Sequence, residues 1–266
     1  MDTKNIAIIG AIAIIIVAVV YASGILTGGN NASGNITILA GAGTMKAMNE
    51  LKTGFEKQNP GITVTVQYGN SAELFARLES QKSADAVVPG DLTFMDNAKS
   101  KGYIINDTVK PIVYHIPVIA VQKGNPKNIT SVEDMGKPGL RVALGDVNAT
   151  AIGRQSMKIL NKTGELTAVK NNVVVYAPTG PQLLTYLTSG QVDAVIMTED
   201  IASSSAREGK IEIIQIPEEQ NAIATIGVGL TVFTKNKDLT MKFKDYITSP
   251  DGLAIWEKNG FKPVNQ

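Results

Sequence analysis

Cysteine is absent from this 266-residue chain. That absence excludes disulfides, thiolate metal sites, a cysteine nucleophile and a lipidated cysteine anchor. Histidine is nearly absent too. His115 stands alone, so no multi-histidine metal site can form. Lysine and arginine number 25 against 24 aspartates and glutamates. With charges balanced and no basic run, the chain lacks the electrostatic footprint of a nucleic-acid binder. There is no Walker loop, no G-x-S-x-G elbow and no histidine paired to a serine, which weighs against an enzyme. No solenoid-length repeat or low-complexity domain occurs. The length suffices for one large domain or for two lobes with cores of their own.

Charge is also missing locally. No Asp, Glu, Lys or Arg occurs between Lys4 and Lys46. Inside that stretch, residues 6–26 form an apolar run close to the ~20 residues needed to span a bilayer. It reads either as a secretory signal or as an uncleaved membrane anchor. Its length, and Lys4 as the only positive residue before it, favour the anchor. Residues 27–34 are a Gly/Asn/Ser linker. Either reading places the rest of the chain outside the cytoplasm. N-x-S/T sequons at Asn31, Asn35, Asn106, Asn128, Asn148 and Asn161 agree with export.

What the chain has in abundance is one local pattern. Four times an apolar, β-like stretch passes through a loop of small and hydroxyl residues into a helix-like stretch. The first runs from 36–39 through Ala40-Gly41-Ala42-Gly43-Thr44 into 45–58. The second runs from 62–67 through Tyr68-Gly69-Asn70-Ser71 into 72–80. The third runs from 140–144 through 145–149 into 150–160. The fourth runs from 173–176 through Ala177-Pro178-Thr179-Gly180 into 181–187. Such loops aim backbone N–H groups and hydroxyls at one point, and each helix start adds partial positive charge. Several of them converging on a cleft would hold an anion without a charged side chain.

Between these units, Met45, Met48, Leu51 and Phe55 recur at helical spacing, as do Leu74, Phe75 and Leu78. Residues 84–88 form a short buried strand, and Asp91 reads as the N-cap of the helix after it. Alternating strands and helices predict an α/β fold with mainly parallel sheets. Two long β-rich segments stand apart: 111–122, interrupted by Pro117, and 224–234, with glycines in its middle. They suit two crossovers acting as a hinge between lobes. On that reading lobe I comprises 35–113 and 228–266, and lobe II comprises 114–227.

Four blocks carry a family resemblance: 36–48 (ITILAGAGTMKAM), 68–78 with 83–95 (SADAVVPGDLTFM), 140–153 (LRVALGDVNATAIG) and 249–263 (SPDGLAIWEKNGFKP). In order and spacing the chain resembles the periplasmic molybdate-binding proteins of ABC transporters. That resemblance implies a two-lobed class II periplasmic-binding-protein fold and a monomer. It implies no cofactor, a molybdate or tungstate ligand bound through its oxygens, and a membrane permease as partner. The family's first-loop serine falls at Gly43 or Thr44, with the Thr44 hydroxyl preferred. The second-loop match is Ser71 supported by Asn70, the third Ala151 or Ile152, the fourth Thr179. Some members carry a tyrosine where this chain has Met197, which cannot donate; Thr198 is the neighbouring substitute. Sulfate or another small anion on the same fold is the alternative ligand. An exported transferase or hydrolase is the alternative of another class.

Plainer roles compete at each position. Thr44, Ser71 and Thr179 suit N-caps or helix starts. Asp85 and Asp193 suit strand ends, and Asp146 a cap turned away from the anion. Lys46, Arg77 and Arg154 read as solvated or paired, His115 as a packed strand residue, and Trp256 as core.

Overall fold

The computed structural model describes residues 33–264. The apolar run 6–26, with its signal and anchor readings, lies outside them. Among the described residues no helix is long and apolar enough to cross a membrane.

The expected two-lobed α/β architecture is present. The first lobe starts with β1 (Gly34–Gly41), α1 (Met45–Gln58), β2 (Ile62–Gly69), α2 (Ser71–Gln81), β3 (Ala86–Val88), α3 (Leu92–Ser100) and β4 (Lys110–His115). The chain then crosses. The second lobe holds β5 (Pro117–Gln122), β6 (Val142–Gly145), α4 (Ala151–Thr163), α5 (Leu166–Asn172), β7 (Val173–Ala177), α6 (Gly180–Thr188), β8 (Ala194–Thr198), α7 (Glu199–Arg207) and β9 (Ile211–Gln215). It returns to add β10 (Ala224–Leu230), α8 (Lys237–Ile247), α9 (Pro250–Lys258) and β11 (Lys262–Pro263) to the first lobe. The strand orders are β11-β4-β10-β3-β1-β2 and β7-β6-β8-β5-β9.

Each sheet is mixed. The strand–loop–helix units supply its parallel part: β2-β1-β3 in one lobe and β7-β6-β8 in the other. Strands added where the chain enters or leaves a lobe pair antiparallel, namely β10 on β3 and β4, and β5 on β8 and β9. The sequence-expected boundaries need correcting. Residues 113/114 and 227/228 fall inside β4 and β10, which pair with each other from Ala224–His115 to Val228–Lys110 across an irregularity at Ile226/Gly227. The chain changes sheet at Ile116, between β4 and β5, and again within 216–223. The segment 224–234 therefore belongs to lobe I. Its glycines serve close packing: a Cβ on Gly229 would press on Met95 and one on Gly227 on Leu92.

Parallel register is what positions the site. Gly41 pairs with Gly69, and Ala40 with Val88. Three loops therefore leave the first sheet at one level, from the carboxyl ends of its strands. Gly145 pairs with Ala177 in the second lobe, with β8 parallel alongside. Open α/β sheets collect ligands at such edges.

Apolar burial fixes both frameworks. In lobe II, Ile119, Leu144, Ile159, Leu183 and Ile196 meet in one cluster. In lobe I, Ile36, Met48, Phe55, Phe243 and Trp256 cover one sheet face, and Leu74, Leu78, Phe94 and Met95 the other. Trp256 is buried as expected and stands edge-on to Phe261, ring centres 5.0 Å apart. Asp85 closes β3 by accepting from Thr37 N at 2.8 Å and the Thr234 hydroxyl at 2.7 Å. Asp193 does the same before β8, bonding Arg141 N at 2.9 Å and its guanidinium at 2.7 Å.

Gly153 is the tightest joint. Helix α4 approaches the backbone of 145–146 so closely that a Cβ there would collide with the Asp146 carbonyl. Gly153→Ala is expected to destabilise the protein by about 1–3 kcal/mol through overpacking. A denaturant melt that matches the parent would show that the joint has slack.

Candidate functional site

The two loop edges face each other across a small cavity of about 50 Å³. Its wall includes Gly41, Ala42, Gly43, Gly69, Asn70, Ser71 and Gly90 from lobe I. Lobe II contributes Thr150, Ala151, Ile152, Thr179, Gly180, Thr198 and Ile201, and His115 lies at the crossing. No Lys, Arg, Asp or Glu is in this wall, and His115 is its one ionisable group.

The wall is made of helix starts. A single 3-10 turn, Ala42–Thr44, precedes α1, so the chain turns helical at Ala42 rather than at Met45. Asn70 caps α2 in a reciprocal box: its Oδ1 accepts from Glu73 N, and Glu73 Oε2 accepts from Asn70 N. Its amide N–H₂ is left to donate. Thr150 caps α4, accepting from Gly153 N at 2.9 Å while donating to Asp146 O at 2.8 Å. Thr179 and Thr198 precede α6 and α7 without side-chain cap bonds. The first-turn N–H groups of Ser71, Ala151, Ile152 and Gly180 have no acceptor within their own helices. They carry the positive ends of the helix dipoles into the cavity.

Of the residues anticipated from sequence, Gly43, Asn70, Ser71, Ala151, Ile152, Thr179 and Thr198 are together in this wall. Thr44 is not. Its hydroxyl is buried and donates to Gly41 O at 2.8 Å. The extra 3-10 turn rotates Thr44 inward and leaves Gly43 at the surface. Hydroxyls are therefore shared one to each lobe, Ser71 and Thr198. Ser71 Oγ accepts from Arg154 at 3.3 Å, which frees its own O–H. The Thr179 hydroxyl turns to Gln182 Oε1 at 3.2 Å. Met197 pairs with Val118 in β8 and is buried in the lobe II core. Side chains alternate along a strand, so Thr198, one residue on, faces the cavity.

Sequence reasoning placed Gly41, Gly69 and Thr150 in or beside the converging loops without assigning them to the site; it missed Gly90 and Ile201, and it assigned His115 to packing. His115 ends β4 and is 6% exposed. Its Nδ1–H donates to Gly90 O at 2.9 Å. Its Nε2 has no hydrogen-bond partner among the described residues. Asp200 Oδ1 lies 3.7 Å from that nitrogen. Burial drives the Asp200 carboxyl above its ordinary range; His115 and the nearby Thr198 hydroxyl oppose that shift.

The lobes touch around the cavity. Arg154 of α4 reaches Asp91, the N-cap of α3, at 2.7 Å. Ala72 N donates to Ala149 O at 3.3 Å, and Lys262 approaches Glu199 at 3.3 Å. Gln155 Nε2 donates to His115 O and Ala222 O, both at 3.1 Å, so one side chain ties both crossings. Asp146 accepts from Asn148 N and Ala149 N and is occupied in its own loop.

Two lobes closing on a donor-lined, uncharged cavity define the class of solute-binding proteins. The chain belongs to the bacterial extracellular solute-binding protein family, whose model matches residues 36–262. A Haemophilus influenzae protein named only as a binding protein is 28% identical over 250 residues, covering 92% of this chain and 98% of its own. The molybdate-binding protein ModA of Mycobacterium tuberculosis is 25% identical over 228 residues, covering 85% of this chain and 84% of its own. The solved sulfate-binding protein SubI, also of M. tuberculosis, superposes with a TM-score of 0.79 at 19% identity, covering 87% of each chain. Membership makes the chain a capture component and not an enzyme.

Asp200 gives a test of the electrostatics. A carboxyl whose folded pKa is raised contributes most below its unfolded pKa, and that contribution is lost as pH rises through the folded value. Asp200→Asn is therefore expected to raise the melting temperature of the ligand-free protein by a few degrees above neutral pH, and not at acid pH. An equal offset at all pH values would remove Asp200 as the cause.

Proposed function

We propose that the protein is the extracytoplasmic solute-binding component of an ABC importer for a small oxyanion, with molybdate or tungstate as the leading ligands. The observation that carries this is the convergence of helix starts from both lobes on a cavity with no carboxylate in its wall. A fully ionised tetrahedral dianion only accepts hydrogen bonds, so donors alone satisfy it. A protonated anion such as phosphate also needs an acceptor. The resemblance to ModA supports molybdate; that to SubI keeps sulfate as the second reading. The named donors are the N–H groups at Gly43, Ser71, Ala151, Ile152 and Gly180, the Asn70 amide, and the hydroxyls of Ser71 and Thr198. Thr179 serves mainly as the start of its helix.

Because these donors come from both lobes, the ligand favours the closed arrangement. The crossings at Ile116 and 216–223 are where the chain bends. The closed form is what a permease would recognise, and it delivers the anion there without chemical change.

Thermal shift and calorimetry against molybdate, tungstate, sulfate and phosphate test this. A ligand at 100 times its dissociation constant should stabilise the protein by about 2.7 kcal/mol. Silence toward all four would refute the oxyanion reading. Ser71→Ala is expected to weaken binding by about tenfold, the worth of one hydrogen bond to a charged group, with the melting curve little changed. Unaltered affinity would take Ser71 out of the site. Arg154→Met should also weaken binding, because it leaves the buried Asp91 unpaired only when the lobes close. An affinity equal to the parent's would show that the Arg154–Asp91 pair does not bias closure.

A further inference from the structure

We infer that His115 is a titratable contact of the bound anion: its Nε2 takes up a proton as the anion enters, donates to it, and is balanced from behind by Asp200. The inference rests on the oxyanion reading above and assigns that site its one ionisable group.

Geometry carries the case. The Gly90 carbonyl fixes the proton of Nδ1, which leaves Nε2 as the open ring position. Two glycines keep that edge clear. A Cβ on Gly43 would sit 3.8 Å from Nε2, and one on Gly90 would sit 3.9 Å from Cε1. The ring is more than nine-tenths buried, lines the cavity and has no acceptor or donor at Nε2 among the described residues.

As a lone pair, Nε2 would face a carboxylate oxygen 3.7 Å away on one side and an incoming dianion on the other. Both contacts would be repulsive. One proton on Nε2 turns both into attractions. Imidazole is the side chain that exchanges a proton most readily near neutrality, so the proton comes from solvent at little cost. The dianion thus arrives with one charge already matched, and the remaining charge falls on neutral donors.

The other charged groups around His115 are already engaged. On α7, Glu199 lies toward Lys262 of β11 at 3.3 Å. On the loop before α3, Asp91 is paired with Arg154 of α4 at 2.7 Å. Gln155, also on α4, is neutral and holds the His115 carbonyl. The β4 crossing and the Gly43 loop bring no charge of their own. Asp200 is therefore the group left to sense the imidazole proton. Its burial denies it solvent, and the imidazole is the largest influence that offsets that burial.

The test is calorimetry of the purified protein with sulfate and with molybdate, from about pH 6.5 to about pH 8.5, where both anions keep their charge and imidazole loses its proton. Buffers of different ionisation enthalpy report proton uptake. Affinity should fall by up to about tenfold per pH unit above the inflection, with up to one proton taken up per anion. His115→Gln should flatten the profile and abolish the uptake. Asp200→Asn should move the inflection to lower pH. As the only histidine, His115 also gives a single set of imidazole resonances. Its titration midpoint should rise when anion is bound, a readout that does not depend on any variant folding. A flat profile without proton uptake in the parent, a profile unchanged by His115→Gln, or a midpoint indifferent to anion would each overturn the inference while leaving oxyanion binding intact. Failure of both anions to bind at every pH would overturn both readings together.

Discussion

Backbone N–H groups at the start of a helix have no acceptor within that helix, and the fold gathers such groups from both lobes at one place. Parallel register does the gathering. Because Gly41 pairs with Gly69 and Gly145 with Ala177, the strands within each lobe end at the same level. Some helix starts answer their own need. Asn70 and Thr150 each satisfy the third N–H of their helix, and Ala72 borrows a carbonyl from the opposite lobe. What is left over points into the cavity. Partial positive charges brought together in a wall without carboxylates repel one another unless an acceptor sits among them, so the fold is complementary to an anion before any particular ligand is named.

Closure follows from the same arrangement. The Arg154–Asp91 pair joins a first-turn residue of α4 to the N-cap of α3, beside Ser71. It takes two charges out of water, so its net worth is modest. Its directionality is the useful property, because bringing the lobes together without Arg154 would bury Asp91 unpaired. Gln155 works at the other end of the motion. By donating to a carbonyl at each crossing, it ties the two crossings to each other. The charged pair joins the lobes at the rim and the amide joins the two crossings, so neither places a charge in the cavity itself.

Much of this was legible in the sequence because it is local. Strand–loop–helix units announce themselves through apolar periodicity, cap residues and glycines within about ten positions of one another. Seven of the eight residues singled out for the site do share one wall. The eighth, Thr44, was displaced by a single 3-10 turn, and nothing in Ala-Gly-Thr distinguishes that turn from one residue of loop. The position of the second crossing was missed for a different reason. The segment 224–234 is β-rich, but whether a strand pairs with β4 or bridges two lobes depends on partners more than a hundred residues away. His115 was hidden in the same way. Its neighbours Gly90, Asp200 and Gln155 come from three separate elements, and an isolated histidine ending an apolar strand carries no local sign of them. Its being the chain's sole histidine, next to the Pro117 crossing, was the available hint.

Met197 illustrates how strand geometry resolves a difficulty that sequence comparison raises. A methionine where the family resemblance implies a tyrosine suggested a lost donor. In β8 that side chain is turned into the lobe II core, paired across to Val118. The cavity sees Thr198 instead, at the strand's last position, with its hydroxyl free of any well-formed bond among the described residues. The nearby wall is apolar. Ile201, one turn into α7, is close enough that a Cβ on Gly43 would lie 3.3 Å from its Cδ1, and one on Gly180 would lie closer still, at 2.7 Å. Ile201 thus packs on the lobe II core and meets a glycine from each lobe at the cavity. Such a plug offers no hydrogen bond, so it sets the size of what fits and leaves the donors to set its charge. On the proposed reading, Ile201 and its two glycines limit the size of the anion, while the donor set and His115 answer to its charge.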